Sequence, residues 1–242
     1  MKTLITLGCS LSPSNTIRVC SWAGTLADHL QPVHHIHNAF GGGGNQQLID
    51  YLSNYVLTHS LKDHIIVYQI TGINRGGNIY NKELLESNNI TLDPAHKRPT
   101  HCEMGNWDTF DSYFGDEQYT IWAGPQYDIV EDHRKFDNPE IKLTRLVSTL
   151  SLLSLAGATV FAFRGWSGAL AGQTWNDATD NKSEDRWEKC KQVFDRTGVE
   201  YINECLVDWC MKNNLTFVDD WHPSADSHYK FADECILPRF KK

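Results

Sequence analysis

The chain has 242 residues, 40% of them hydrophobic and 21% charged, enough for one large domain with a sizeable core. With 30 acidic against 22 basic residues the formal net charge is −8, which excludes the basic footprint that nucleic-acid binding requires. Seven cysteines are scattered without a CxxC pair or a regular framework, so reduced thiols are expected rather than a disulfide scaffold.

The first apolar run, "TLITLG" at 3–8, reads as a strand entered almost at once. No charged n-region and h-region of signal-peptide form precede it, and a cytoplasmic protein is the expectation. A turn at Gly8-Cys9-Ser10 follows, then a helical pattern over 16–30 with Ile17, Ala23, Leu26, Ala27 and Leu30 on one face. The next strand is "VHHIHNAF" at 33–40. His35 and His37 share a face of it beside His34, but no cysteine or carboxylate cluster completes a zinc site, so a buried or half-buried strand face is expected and neither metal nor cofactor is implied. The run Gly41-Gly42-Gly43-Gly44 leads to Asn45 and a helix over 45–58 carrying Leu48, Leu52, Tyr55 and Val56.

A third strand, "HIIVYQITG" at 64–72, ends in Gly72-Ile73-Asn74-Arg75. Residues 76–136 are too long for a simple connection and, rich in Asp, Asn, Trp and Tyr, read as an insertion into a single domain spanning 1–242. Pro139 after Asp137-Asn138 starts a helix over 139–156. Between Arg145 and Arg164 lies the uncharged "LVSTLSLLSLAGATVFAF", near the lower length for a membrane span. Its serines, Gly157 and the β-rich "ATVFAF" at 158–163 make it a buried helix followed by a central strand instead, and no membrane partner is expected. Residues 184–213 form one or two helices broken near Gly198, and "TFVDD" at 216–220 reads as the fifth strand.

Strands alternating with helices predict an α/β fold: a three-layer αβα sandwich around a five-stranded, mostly parallel sheet. Ligands of such sheets sit at the carboxyl ends of the strands, where the loops bearing Ser10, the glycine run, Asn74 and "DDWHPS" would converge. Serine is a weak nucleophile unless a base takes its proton and a third group holds that base in one tautomer. Asp219 and His222 are three apart, so a turn stiffened by Pro223 folds the carboxylate onto one imidazole nitrogen and leaves the other for Ser10. Acyl transfer also needs donors for the oxyanion: the backbone N–H of Ser10, a glycine N–H from 41–44 and the Asn74 side-chain amide. His228, without an aspartate three residues before it, ranks behind His222 as the base, and Cys9 is assigned to packing.

In this order the blocks resemble the SGNH superfamily of GDSL-type esterases and acylhydrolases over most of the chain outside 76–136. "GCSLS" matches the serine block, "NAFGGGGNQQLI" the glycine block through Gly43 with Gly44 close behind, "TGINR" the Gly-x-Asn block through Gly72 and Asn74, and "DDWHPSADSH" the Asp-x-x-His block. Cys9 stands where the family usually has aspartate before the serine, and Arg75 where it commonly has aspartate after the asparagine. The resemblance implies a flavodoxin-like SGNH hydrolase fold and a carboxylic ester hydrolase with Ser10, Asp219 and His222 as catalytic residues. Ser10, Gly43 and Asn74 would form the oxyanion hole.

The expected substrate is a small-molecule or carbohydrate ester, with Trp107, Trp122 and Tyr127 of the insertion as a stacking surface for a sugar ring. Two other classes compete. A flavodoxin-like phosphate binder at "SLSPSNT" leaves "DDWHPS" unexplained. A non-catalytic structural or recognition module of the same fold, such as a viral particle component, would carry the same residues.

Overall fold

The computed structural model describes residues 3–9, 21–40, 44–73, 76–81, 119–124, 139–171, 181–218 and 222–241. Strand β1 (Thr3–Cys9) turns Leu4 to one side of the sheet and Ile5 and Leu7 to the other, all fully buried. The chain continues through α1 (Trp22–Leu30), β2 (His34–Phe40), α2 (Asn45–Thr58) and β3 (His64–Ile70). Then come β4 (Gly76–Asn81) and β5 (Tyr119–Gly124), an antiparallel pair, followed by α3 (Pro139–Leu155) and β6 (Thr159–Arg164). After a 3-10 turn at Ser167–Ala171 come α4 (Asn181–Thr197), β7 (Glu200–Ile202), α5 (Leu206–Lys212) and α6 (Ala225–Phe231), with a π turn at Ala232–Ile236.

The main sheet has five parallel strands in the order β2-β1-β3-β6-β7. Helices cover both of its faces, as the alternating sequence pattern predicts. On one face Leu48 and Leu52 of α2, Leu146 and Leu150 of α3, and Trp187 and Phe194 of α4 pack over Ile5, Ile66, Ile70 and Val160. On the other, Trp22 and Leu26 of α1, Leu206 and Cys210 of α5, and Phe231 of α6 pack over Leu4, Val67, Phe161 and Phe163. Burying each large apolar side chain contributes roughly 1.5–3 kcal/mol. The two central strands, β3 and β6, are buried almost end to end, which is why they read as continuous apolar runs. The stretch between Arg145 and Arg164 is indeed helix followed by central strand, and among the described residues no helix is long and apolar enough to cross a membrane.

One element differs from the sequence expectation. The fifth strand is Glu200–Ile202, paired with β6 at Phe161 and Phe163, and not 216–220. The helical segment does break at Gly198, where φ is +74°, a conformation that suits glycine, and the three residues after the break add to the sheet. Three residues give no readable alternation, whereas "TFVDD" imitates a strand. In the structure Phe217 makes only an isolated antiparallel bridge to Pro223, and Val218 is exposed.

Because β2 and β3 flank β1 on opposite sides, the strand order reverses between β1 and β3. A sheet of this order opens a crevice at the carboxyl ends of those two strands.

Candidate active site

Register decides which loops share that crevice. Parallel pairing sets Cys9 beside Phe40 and Leu7 beside Tyr68, so β1, β2 and β3 all release the chain at one edge. Ser10 follows β1 directly, Gly41 follows β2, and Thr71, Gly72 and Ile73 lead from β3 toward Asn74. Ser10, Gly43, Asn74 and Asp219, together with Trp107 and Tyr127, lie outside the described residues. Trp122 belongs to β5, where its backbone pairs with Asn78.

The described part of the β3 loop is held from both sides. Ile70 accepts from Gly165 N–H at 2.9 Å, and Ile73 N–H donates to Ala169 O at 2.9 Å, which anchors the loop on the 3-10 turn. That turn is fixed in its own right: Ser167 donates to the Asp208 carboxylate through its backbone N–H at 2.8 Å and its hydroxyl at 2.6 Å. Ser183 donates to Ser167 O, and the Arg186 guanidinium donates to Leu170 O. Beside it the buried Arg164 pairs with Glu184 at 2.6 Å and lies 5.0 Å over the Trp187 ring. On the other side Thr71 is paired to Asn45, buried at the first position of α2. Gly44 caps that helix in extended conformation with no side-chain bond. Motif matching passes over Asn45, although an asparagine directly after a glycine run and before a helix is the signal for such a pairing.

His222 is half-buried and follows a loop with a paired neck. Val218 N–H donates to His222 O at 2.8 Å, Ser224 N–H to Thr216 O at 2.9 Å, and Phe217 bridges Pro223. These bonds bring Val218 and His222, on either side of positions 219–221, together. Ser224 then caps α6 by accepting from Ser227 N–H.

His228, the rival base, is only 2% exposed, and its Nδ1 has no hydrogen-bond partner. Burial, reinforced by the charge of His222, pushes its pKa down to about 4, so it is a neutral imidazole in the core. A general base must reach the substrate's proton, and His228 does not face solvent. His35 and His37 are also buried, their ring nitrogens 2.9 and 2.8 Å from the Thr6 hydroxyl. One hydroxyl proton serves at most one imidazole as acceptor, so the other ring donates to the Thr6 oxygen. They form a buried strand face as expected, and among the described residues no group of His, Cys, Asp and Glu is arranged to hold a metal ion. Cys190, Cys205, Cys210 and Cys235 are free and buried, their thiols pushed up to about 12 by burial, which makes them unreactive near neutral pH.

No family model matches the sequence, and no curated protein matches it by sequence. Solved structures do match. A member of the lipolytic protein G-D-S-L family from Veillonella parvula superposes over 100% of both chains with a TM-score of 0.57 at 12% identity. The psychrotrophic esterase EstA from Pseudoalteromonas sp. superposes over 100% of both chains with a TM-score of 0.52 at 12% identity. Axe2, an acetylxylan esterase from Geobacillus stearothermophilus, gives 0.52 at 13% identity over 96% of this chain and 91% of its own. At such identities the likeness is one of architecture, and it agrees with the strand order and the shared loop edge: this chain has the fold of the GDSL-type, or SGNH, hydrolases.

Proposed function

We propose that the chain is a serine hydrolase that cleaves carboxylic esters through an acyl-enzyme on Ser10. The observation that carries this reading is the common edge of β1, β2 and β3, because the next residues of the chain at that edge are the nucleophile and oxyanion candidates. The paired neck around 219–221, which ends on His222, supports an Asp-His pair in one turn. In the proposed reaction His222 takes the proton of the Ser10 hydroxyl as the oxygen attacks the acyl carbon. The backbone N–H groups of Ser10 and Gly43 and the Asn74 amide receive the oxyanion. His222, oriented by Asp219, returns the proton to the departing alkoxide. Water, deprotonated by His222, then releases the acid and frees Ser10.

The substrate we propose is a short-acyl, preferably acetyl, ester of a carbohydrate. Residues 76–136 leave the sheet just after Asn74, and β4 lies against α2, the helix that the glycine run enters. This supports the segment as an insertion walling the site within one domain, with Trp107, Trp122 and Tyr127 offering ring faces to a sugar. One of the structures of like fold is an acetylxylan esterase, and a catalytic mutant of that enzyme replaces serine with alanine. Acetylated xylose should be turned over faster than medium-chain acyl esters, and Trp107→Ala and Trp122→Ala should erode that selectivity. Faster turnover of the longer chains would end the carbohydrate proposal and leave the esterase standing.

A fluorophosphonate probe read by intact mass tests the central claim. One adduct is expected, on Ser10, and none on Ser10→Ala. An unlabelled wild-type chain beside a reacting control esterase would overturn it in favour of a non-catalytic module.

A further inference from the structure

The cap of α2 is Gly44, which has no side chain to satisfy the first turn, and Asn45, the first helical residue, directs its side chain away from its own helix. Its Nδ2 donates to Thr71 O at 2.9 Å and its Oδ1 accepts from Thr71 N–H at 3.0 Å, so the side-chain amide pairs with the backbone of one residue just past the end of β3. The Tyr68 hydroxyl donates to Asn45 O at 3.2 Å and lies 3.4 Å from Oδ1, closing the group beneath the sheet edge. Asn45 is 6% exposed, and Tyr68 and Thr71 are fully buried. Bonds in such a setting are short of competing water and directional, so they define a spacing as well as stabilise it.

What the pairing joins is specific. On one side is the first residue of α2, directly after the glycine run. On the other is Thr71, three residues before Asn74, in the stretch whose far end Ala169 holds through Ile73. Van der Waals packing of α2 on the sheet is supplied independently by Leu48, Leu52 and Tyr55. The helix therefore has its apolar anchor without Asn45, and the amide adds a fixed distance between two loops.

We infer that Asn45 is a positioning residue: by pairing with Thr71 it sets the spacing between the glycine-run donor and the Asn74 amide. This rests on the reading of Gly43 and Asn74 as oxyanion donors given above. Asn45 touches no substrate; it acts through the loops. Asn45→Ala should lower kcat on p-nitrophenyl acetate by roughly tenfold to a hundredfold, the scale of a misplaced catalytic group, with KM changed less than about twofold. Fluorophosphonate labelling of Ser10 should slow by the same factor.

A double-mutant cycle separates positioning from mere support. In an Asn74→Ala background the donor that Asn45 positions is gone, so adding Asn45→Ala should cost less than about a further twofold in kcat. Losses that multiply in the double variant overturn the inference. So do Asn45 variants at wild-type rate while Asn74→Ala is slow. If Asn45→Ala lacks a cooperative thermal transition, Asn45→Asp, which keeps the size and the acceptor but loses the donor to Thr71 O, is run through the same cycle. An Asn74→Ala variant at full rate overturns the oxyanion assignment and this inference together, while labelled Ser10 keeps the hydrolase. An unlabelled wild type overturns all three.

Discussion

The two faces of the sheet are built from different parts of the chain. One is covered by the long helices α2, α3 and α4, of 14, 17 and 17 residues, all from the middle of the sequence. The other gathers the two ends: α1, of 9 residues, and α5 and α6, of 7 each, with α1 packed against α6 and its π turn. The long-helix face pairs side chains across long sequence separations, such as Asn45 with Thr71 and Arg164 with Glu184. Both faces bury imidazoles: His64 lies 2.9 Å from the Tyr55 hydroxyl on the long-helix face, and on the other His35 and His37 sit on Thr6 and His228 lies near His222. The candidate nucleophile follows β1 and the candidate base precedes α6, while the loop leading to Asn74 is tied to both faces, through Asn45 of α2 and through Ala169 on the turn that Asp208 of α5 fixes. The faces therefore differ in chain origin and helix length, and the segment carrying Ser10 runs into α1 of the chain-end face.

The largest effect that would sharpen this contrast is on the reacting groups. Ser10→Ala or His222→Ala should lower ester turnover by roughly six orders of magnitude with the melting temperature nearly unchanged. Steady-state kinetics beside calorimetry checks it, and a His222→Ala variant within tenfold of wild type would remove the imidazole from the mechanism.

Next come the cores. Trp22→Ala and Phe194→Ala, each at a fully buried ring, should cost about 3–5 kcal/mol in chemical denaturation. Trp22 lies edge-on to Phe163 at 5.1 Å in the helix that follows the Ser10 loop. Its loss should therefore also lower turnover per folded molecule, whereas Phe194→Ala should leave that turnover intact. Equal effects of the two on turnover would mean that the Ser10 loop is coupled no more strongly to its own face than to the other.

The buried imidazole of the chain-end face gives a pH signature. Below about pH 6.5 the unfolded chain binds a proton at His228 that the folded chain refuses until about pH 4, so stability falls as pH drops through that window. The loss is on the order of 3 kcal/mol, and His228→Leu should flatten the profile between those pH values.

The smallest expected effect lies on the long-helix face and has the opposite sign. Burial raises the pKa of Asp50, opposed by its bond from Gln46 at 2.7 Å and by Arg145. A raised carboxyl costs stability above its ordinary pKa and relieves that cost as pH falls. Asp50→Asn should thus raise the melting temperature slightly at neutral pH, with the gain vanishing in acid; a loss at neutral pH would mean that the Gln46 bond outweighs burial.

Much of this was legible from local pattern. The faces of α1 and α2 were marked by Ala23, Leu26, Leu48, Leu52 and Tyr55, and all five are buried. Pro139 began a helix, Gly198 ended one, and the apolar stretch after Arg145 declared its change of period at Gly157. The loops after β1, β2 and β3 could be placed because parallel strands release the chain at one end, whereas the segment 219–222 does not follow a strand of the sheet. What misled was "TFVDD", which has strand composition but no strand to pair with, while the true fifth strand was too short to show a period.

By itself, then, the sequence determined the first four strands of the main sheet and the helices α1 to α5, the α/β class and the order of the candidate groups, because propensity, period and turn chemistry are encoded within a few neighbouring residues. The tertiary structure alone decided which three residues close the sheet, that His228 is buried and neutral, and that Asn45 spends its amide on Thr71, 26 residues away. Those outcomes depend on which surfaces meet, and burial and long-range hydrogen bonds acquire their strength only when folding excludes water from between them.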